Sequence, residues 1–400
     1  MRSSFARNAI VLGLLSAVGP FAIDMYLPAL PTIAADLKAT TAATQMTLMA
    51  FFVAFGACQI VYGPASDMIG RKPPLYFGLS VFIAGAIGCA FAPSIGWLIG
   101  FRFLQGLGGS AVMVIPRAII RDLHTGVEAA RLMATMMLVF SVSPILAPLA
   151  GSALIVPFGW RAVFLAVTIA AALALVLVAT LLPETRPPAE RVKVSLGALR
   201  DGFGRLLRHG RFLGLTFIGG LGMSSFFAFL AGSSFIYINH FGLTPTQYSF
   251  AFSVNAIGFI GASQFAAPLG ARYGMPRVVM TAVSVYAFFA LTLFCLTLAG
   301  FDSLALLITL LFLTFAGLGL VIPSTMVLAL EEHGPIAGMA SALGGALQMA
   351  AAGVVIVIVS LVFDGTALPM VAAIAACSVL ALTLAMVTLG RREFAAQAAE

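Results

Sequence analysis

Apolar residues along this chain neither alternate with polar ones nor form a narrow stripe at helical spacing. They come in long runs separated by short polar breaks, at 9–30, 45–66, 74–92, 95–118, 130–155, 161–182, 212–236, 246–269, 276–299, 303–330, 336–361 and 367–389. A run of about 20 apolar residues crosses the roughly 30 Å hydrocarbon core of a bilayer as a helix. The pattern predicts an all-α polytopic membrane protein with twelve transmembrane helices. Arg2 and Arg7 ahead of the first run resemble the basic end of a secretory leader. That run reaches Leu30 with no small-residue cleavage site standing out, so it reads as a retained first helix.

The breaks are short except at 183–211. This stretch divides the chain into an N-terminal six-helix bundle (1–182), a linker (183–211) and a C-terminal six-helix bundle (212–400). Charge placement orients the bundles. Of the 21 basic residues, Lys38 and Arg161 fall in one set of loops and Arg102 inside a run. All the others fall on the opposite side. Basic loops stay in the cytoplasm, so both termini and the linker are expected there. Around Leu196 to Leu207 the linker has the character of a surface-lying amphipathic helix.

Composition agrees. Apolar residues make up 61% of the chain and charged residues 9%, against about 25% charged in a soluble domain. The net charge of +7 reports membrane orientation, so no nucleic-acid partner is implied. The four cysteines lie singly in apolar runs and suggest neither metal nor disulfide. There is no H-E-x-x-H and no G-x-x-x-x-G-K, and an enzyme is not expected.

The halves echo each other. Gly63-Pro64 through Gly70-Arg71 closes the second helix, and Ala267-Pro268 through Gly274-Met275 closes the eighth. Pro64 pairs with Pro268 and Gly70 with Gly274, while Asp67 and Arg71 have no counterparts. Gly106-Leu107-Gly108 is echoed by Gly317-Leu318-Gly319. Such internal repeats are frequent in secondary transporters.

Asp24 and Arg102 are the charges that stand inside apolar runs. Ionisable residues at membrane depth are expensive and usually functional. At about 1.5 Å per residue, Asp24 lies about 22 Å beyond the inner start of its helix and Arg102 about 10 Å below the outer start of its own. Both reach a similar depth. They could meet directly or across a water, as a titrating acid tuned by a fixed cation or as a structural pair. Tyr26 could offer a hydroxyl to a ligand or mark the membrane interface. Gln105, one turn from Arg102, could line a cavity or bridge helices. Phe226, Phe227, Phe229, Phe235 and Tyr237 offer aromatic surface on the seventh helix, for a ligand or for packing. Asp67 could oppose the N-terminal end of the eleventh helix, near Pro335 and Ile336, as a conformational latch. Pro144, Pro148 and Gly151 mark a bent, closely packed fifth helix, a hinge between the halves.

With these residues in hand, the chain resembles the major facilitator superfamily, and within it the Bcr/CflA group of bicyclomycin- and chloramphenicol-type drug–proton antiporters. The loop signature is matched by Gly63, Pro64, Ser66, Asp67, Gly70, Arg71 and Lys72. The fourth helix matches with Arg102, Gln105 and Gly106, and the fifth with Pro144, Pro148 and Gly151, although Ala147 stands where the motif has glycine. The string from Asp24 to Pro31 is similar to that subgroup. The resemblance implies a bacterial inner-membrane monomer that moves small molecules by alternating access, without a cofactor and with protons as coupling ion. It implies Asp24 as proton carrier and Arg102 as essential partner. The run from Ala9 to Ile23 lacks the extra acid of relatives that favour cationic drugs. A nutrient or metabolite transporter of the same fold, an importer or one driven by another ion, is the other reading.

Overall fold

The computed structural model describes residues 2–123, 126–191, 196–333 and 336–397. Among them there is no strand. Twelve helices are long and apolar enough to cross a membrane: Arg7–Asp36, Thr41–Ile69, Lys72–Ala90, Ile95–Leu123, Arg131–Phe158, Arg161–Leu181, Gly210–His240, Pro245–Tyr273, Met275–Leu298, Leu304–Glu331, Ala337–Val362 and Leu368–Gly390. These are the first to twelfth spans below. Each expected run lands on one of them, but six of the twelve helices are longer than the apolar stretch. Polar caps set those ends. Thr40 accepts a hydrogen bond from the Ala43 amide and opens the second span, and a capping box of Thr244 and Gln247 opens the eighth. Gly70 (φ +101°) and Gly274 (φ +84°) close the same two spans in the left-handed region that favours glycine. Their equivalence in the repeat is therefore conformational.

The chain forms two compact units, Met1–Leu196 and Gly197–Glu400. Within the first, the fourth span packs on the second and third, the first span on the fourth, fifth and sixth, and the third on the sixth. Within the second, the tenth packs on the eighth and ninth, the seventh on the tenth, eleventh and twelfth, and the ninth on the twelfth. Each pairing recurs six spans later. The linker divides between the units. Its beginning is held by the first, and its helix, Leu196–Arg208, sits where the sequence places one. Leu206 on that helix is buried, and Gly202 lies against Met339 of the eleventh span. Lys193 and Pro335 lie outside the described residues.

Glycines set the closest approaches. A β-carbon at Gly106 would stand 2.3 Å from the Phe51 carbonyl oxygen in the second span, and one at Gly319 2.1 Å from the Phe259 carbonyl oxygen in the eighth. One at Gly108 would stand 2.3 Å from the Gly78 carbonyl oxygen in the third, and one at Gly317 3.0 Å from the Tyr286 amide in the ninth. Gly106 and Gly319 face the second and eighth spans and Gly108 and Gly317 the third and ninth, so the two echoes meet equivalent neighbours in opposite order. Positions two apart point about 200° apart around a helix, so each pair serves two opposite neighbours. Gly106→Ala is expected to destabilise the protein by about 1–3 kcal/mol through overpacking. Gly100→Ala, with nothing within 4 Å, should be neutral or slightly stabilising. Thermal unfolding in detergent measures both, and equal melting temperatures would refute the close-packing account.

Candidate functional site

The first span is broken. Its helix runs Arg2–Asp24, a 3₁₀ turn covers Leu27–Ala29, and a second helix covers Leu30–Asp36. Pro28 and Pro31 explain the position. Neither has an N–H, so neither can donate to the carbonyl four residues back, at Asp24 and Leu27. The chain turns instead, with the Met25 amide donating to Phe21 and the Ala29 amide to Tyr26. The fifth span seats on this turn. A β-carbon at Gly151 would stand 2.2 Å from the Met25 carbonyl oxygen. The fifth-span signature glycine therefore packs beside Asp24, a link the sequence did not disclose. The fifth-span helix is continuous through Pro144 and Pro148, and Ala147 is fully buried where the motif has glycine.

Asp24 is 5% exposed, and among the described residues no ion pair or hydrogen bond reaches its carboxylate. Arg102 is wholly buried. Its Nη1 donates to the Ala22 carbonyl at 3.2 Å and to Gln105 Oε1 at 2.7 Å. The guanidinium lies over the rings of Tyr26 (4.8 Å) and Phe51 (4.4 Å), an arrangement that suits arginine. Its Nε and Nη2 are buried without a hydrogen-bond partner. The direct Asp24–Arg102 pair that similar depth allowed is not formed. Arg102 binds the backbone two residues before the acid. Two charges buried without mutual neutralisation are costly to keep.

The neighbouring candidates are tied into this arrangement. The Tyr26 hydroxyl shares a 2.7 Å hydrogen bond with Thr47 Oγ1, and its ring meets Phe164 at 5.3 Å. Tyr26 is fully buried, so it marks no interface. Gln105 positions Arg102 and keeps a buried Nε2 without a partner. The aromatic set belongs to the second unit. Phe229 stacks on Phe252 at 5.4 Å, and Phe226 on Phe259 at 5.7 Å. Tyr237 accepts from Asn255 Nδ2 at 3.3 Å. Phe227, Phe229, Phe235 and Tyr237 are buried, and Phe226 is half-buried.

The loop signature forms a charged cluster. Arg71 donates to Asp67 Oδ1 (2.6 Å), Ser66 Oγ (2.8 Å) and Asp122 Oδ2 (2.7 Å). Thr185 also donates to Asp122, at 3.0 Å. Glu184 accepts from the amides of Arg71, Lys72 and Arg186 at 2.9–3.0 Å, and Lys72 Nζ donates to the Leu182 carbonyl at 2.8 Å. Gly63 makes only ordinary contact, its β-carbon position being 4.0 Å from Val114. The sequence reading missed Asp122 and Glu184. A carboxylate on free amides at the start of a helix, here the third span, is a favourable placement. Partial burial opposes ionisation of Glu184, but the three amides and the nearby Arg191 charge outweigh it and hold the carboxyl below its ordinary value of 4.5.

The Major Facilitator Superfamily profile matches residues 12–356, and the chain belongs to that superfamily. It is 34% identical to an uncharacterised MFS-type transporter of Bacillus subtilis, YdgK, over 90% of each chain. It is 30% identical to a bicyclomycin resistance protein homolog of Haemophilus influenzae, over 93% of this chain and 94% of the relative. Among solved structures, a D-xylose–proton symporter superposes with a TM-score of 0.73 at 16% identity, over 96% of each chain, a likeness of fold alone. The chain is a multi-pass inner-membrane transporter related to drug-resistance proteins, and not an enzyme.

Glu184→Gln should lower stability by about 1 kcal/mol or less at neutral pH, as the half-exposed acceptor of three amides loses its charge. Because the folded carboxyl sits below its ordinary 4.5, that contribution is complete above the ordinary value and fades as pH falls through the lowered one. Melting curves of both proteins should converge under acid. A gap independent of pH would contradict the role given to the charge.

Proposed function

We propose that this transporter exports drug-like lipophilic small molecules in exchange for protons, by alternating access, with Asp24 as the proton carrier. The observation that carries the reading is a buried carboxylate at a proline-enforced helix break, which among the described residues meets no cation or donor to hold it charged. Such an acid can take a proton when it faces the proton-rich outside and release it inside as substrate binds. The relative named for bicyclomycin resistance supports the substrate class. The charge bias of the loops supports termini on the inside. Arg102 acts as a positioning residue that fixes the break through the Ala22 carbonyl while supplying a permanent positive charge. The Arg71 cluster, with Asp67 and Asp122, supports a reading of the signature loop as a latch.

Proteoliposomes with an imposed pH gradient test the exchange. Asp24→Asn should abolish proton-driven uphill movement while leaving substrate exchange at equal pH. An Asp24→Asn protein that still pumps at the wild-type rate would sink the coupling role. Arg102→Lys keeps the charge but loses the planar fork. Losing one charge-assisted hydrogen bond, about 1.5–3 kcal/mol, predicts at least a roughly ten-fold fall in pH-driven transport. An unchanged rate and pH profile would remove Arg102 from the mechanism.

A further inference from the structure

The second unit carries a groove of about 550 Å³ between the eighth, ninth and tenth spans. Its walls are formed by apolar side chains such as Leu269, Ala282, Val285, Phe289 and Ala316. Val285 (39% exposed) and Tyr273 (50% exposed) open it sideways. Arg277 stands at one end. From Arg277 to Phe289 the ninth span rises about 18 Å, close to half of a bilayer core about 30 Å thick. The groove is thus about one leaflet long, polar at the loop end and apolar beyond.

The charge at its mouth is not neutralised from within. Arg272 lies over the Tyr273 ring at 5.2 Å, and among the described residues neither Arg272 nor Arg277 has an ion pair. No Asp or Glu occurs in the sequence between Asp201 and Asp302. The matching turn of the first unit differs, since there Arg71 is answered by Asp67 and Asp122. The turn of the second unit carries basic residues of its own, Arg272 and Arg277, without acids at the positions of Asp67 and Asp122, which leaves room for an anion from outside the chain.

We infer that this groove binds one anionic phospholipid, an acyl chain lying along the ninth span and the headgroup phosphate at Arg277. Basic pockets between membrane helices are suited to anionic headgroups, and the apolar walls add burial for the chain. A drug-like ligand would fit less well, because the groove is polar at one end only and open along its length.

Native mass spectrometry of the detergent-purified protein, titrated with dioleoylphosphatidylglycerol or dioleoylphosphatidylcholine, tests the site. Wild type should prefer phosphatidylglycerol. Arg277→Gln should weaken phosphatidylglycerol about five-fold, the equivalent of about 1 kcal/mol for one basic residue, and phosphatidylcholine, whose choline offsets the phosphate charge, by less. Ala316→Phe should weaken both lipids by filling the groove. Arg200→Gln, removing a surface charge that is 86% exposed elsewhere, should change neither. Equal losses from Arg277→Gln and Arg200→Gln, displacement of the lipid by inorganic phosphate alone, or equal affinity of wild type for the two lipids would each overturn the proposal. Arg277 is exposed, so its substitution does not put folding at risk.

Discussion

The first unit is organised around one contact, a buried guanidinium donating to a backbone carbonyl at a helix break. Arg102 reaches Ala22, and Pro28 and Pro31 ensure that helical hydrogen bonds cannot carry straight through the segment that follows. The carbonyl needs a donor more than an intact helix would, and the arginine needs an acceptor. The rings of Tyr26 and Phe51 both lie against it, while Gln105 accepts one of its hydrogen bonds. Gly151 brings the fifth span onto the same turn. Three signatures far apart in sequence thus converge on the backbone that flanks Asp24. The acid is left as the member of this group without a partner.

The legibility of these features in the sequence follows their physics. Lipid-length apolar runs are long, repeated and hard to mistake, so the number of spans could be read from them. Helix ends could not, because a cap such as Thr40 or Thr244 is a single polar residue in a polar loop. Asp24 and Arg102 stand out because charge inside an apolar run is rare. Their relation did not follow, since rise per residue fixes height and says nothing of direction around the helix. Asp122 and Glu184 escaped notice because acids in basic loops are ordinary. Their roles depend on the amides and guanidinium that folding brings to them. The aromatic residues of the seventh span were visible as a group, yet composition does not separate a ring that packs inside its unit from one that lines a cavity.

The two units share a packing plan but not an electrostatic one. The first keeps a buried acid, a buried arginine and a network that neutralises Arg71. The second replaces these with aromatic contacts and hydroxyl pairs such as Ser233 with Tyr248. Among the described residues, Arg272 and Arg277 at its corresponding turn form no ion pair. Duplication preserved what helix packing requires, and charge was free to specialise in one copy.

The crossed glycines carry an evolutionary consequence. Inserting or deleting one residue between the start of the fourth span and Gly106 would rotate both of its glycines by about 100°. Both seams would then receive side chains where only hydrogen fits. The tenth span is bound in the same way by Gly317 and Gly319. These two stretches should be the least tolerant of length change among descendants of the ancestral half, whereas the loop ends of the same helices can lengthen or shorten without disturbing either seam.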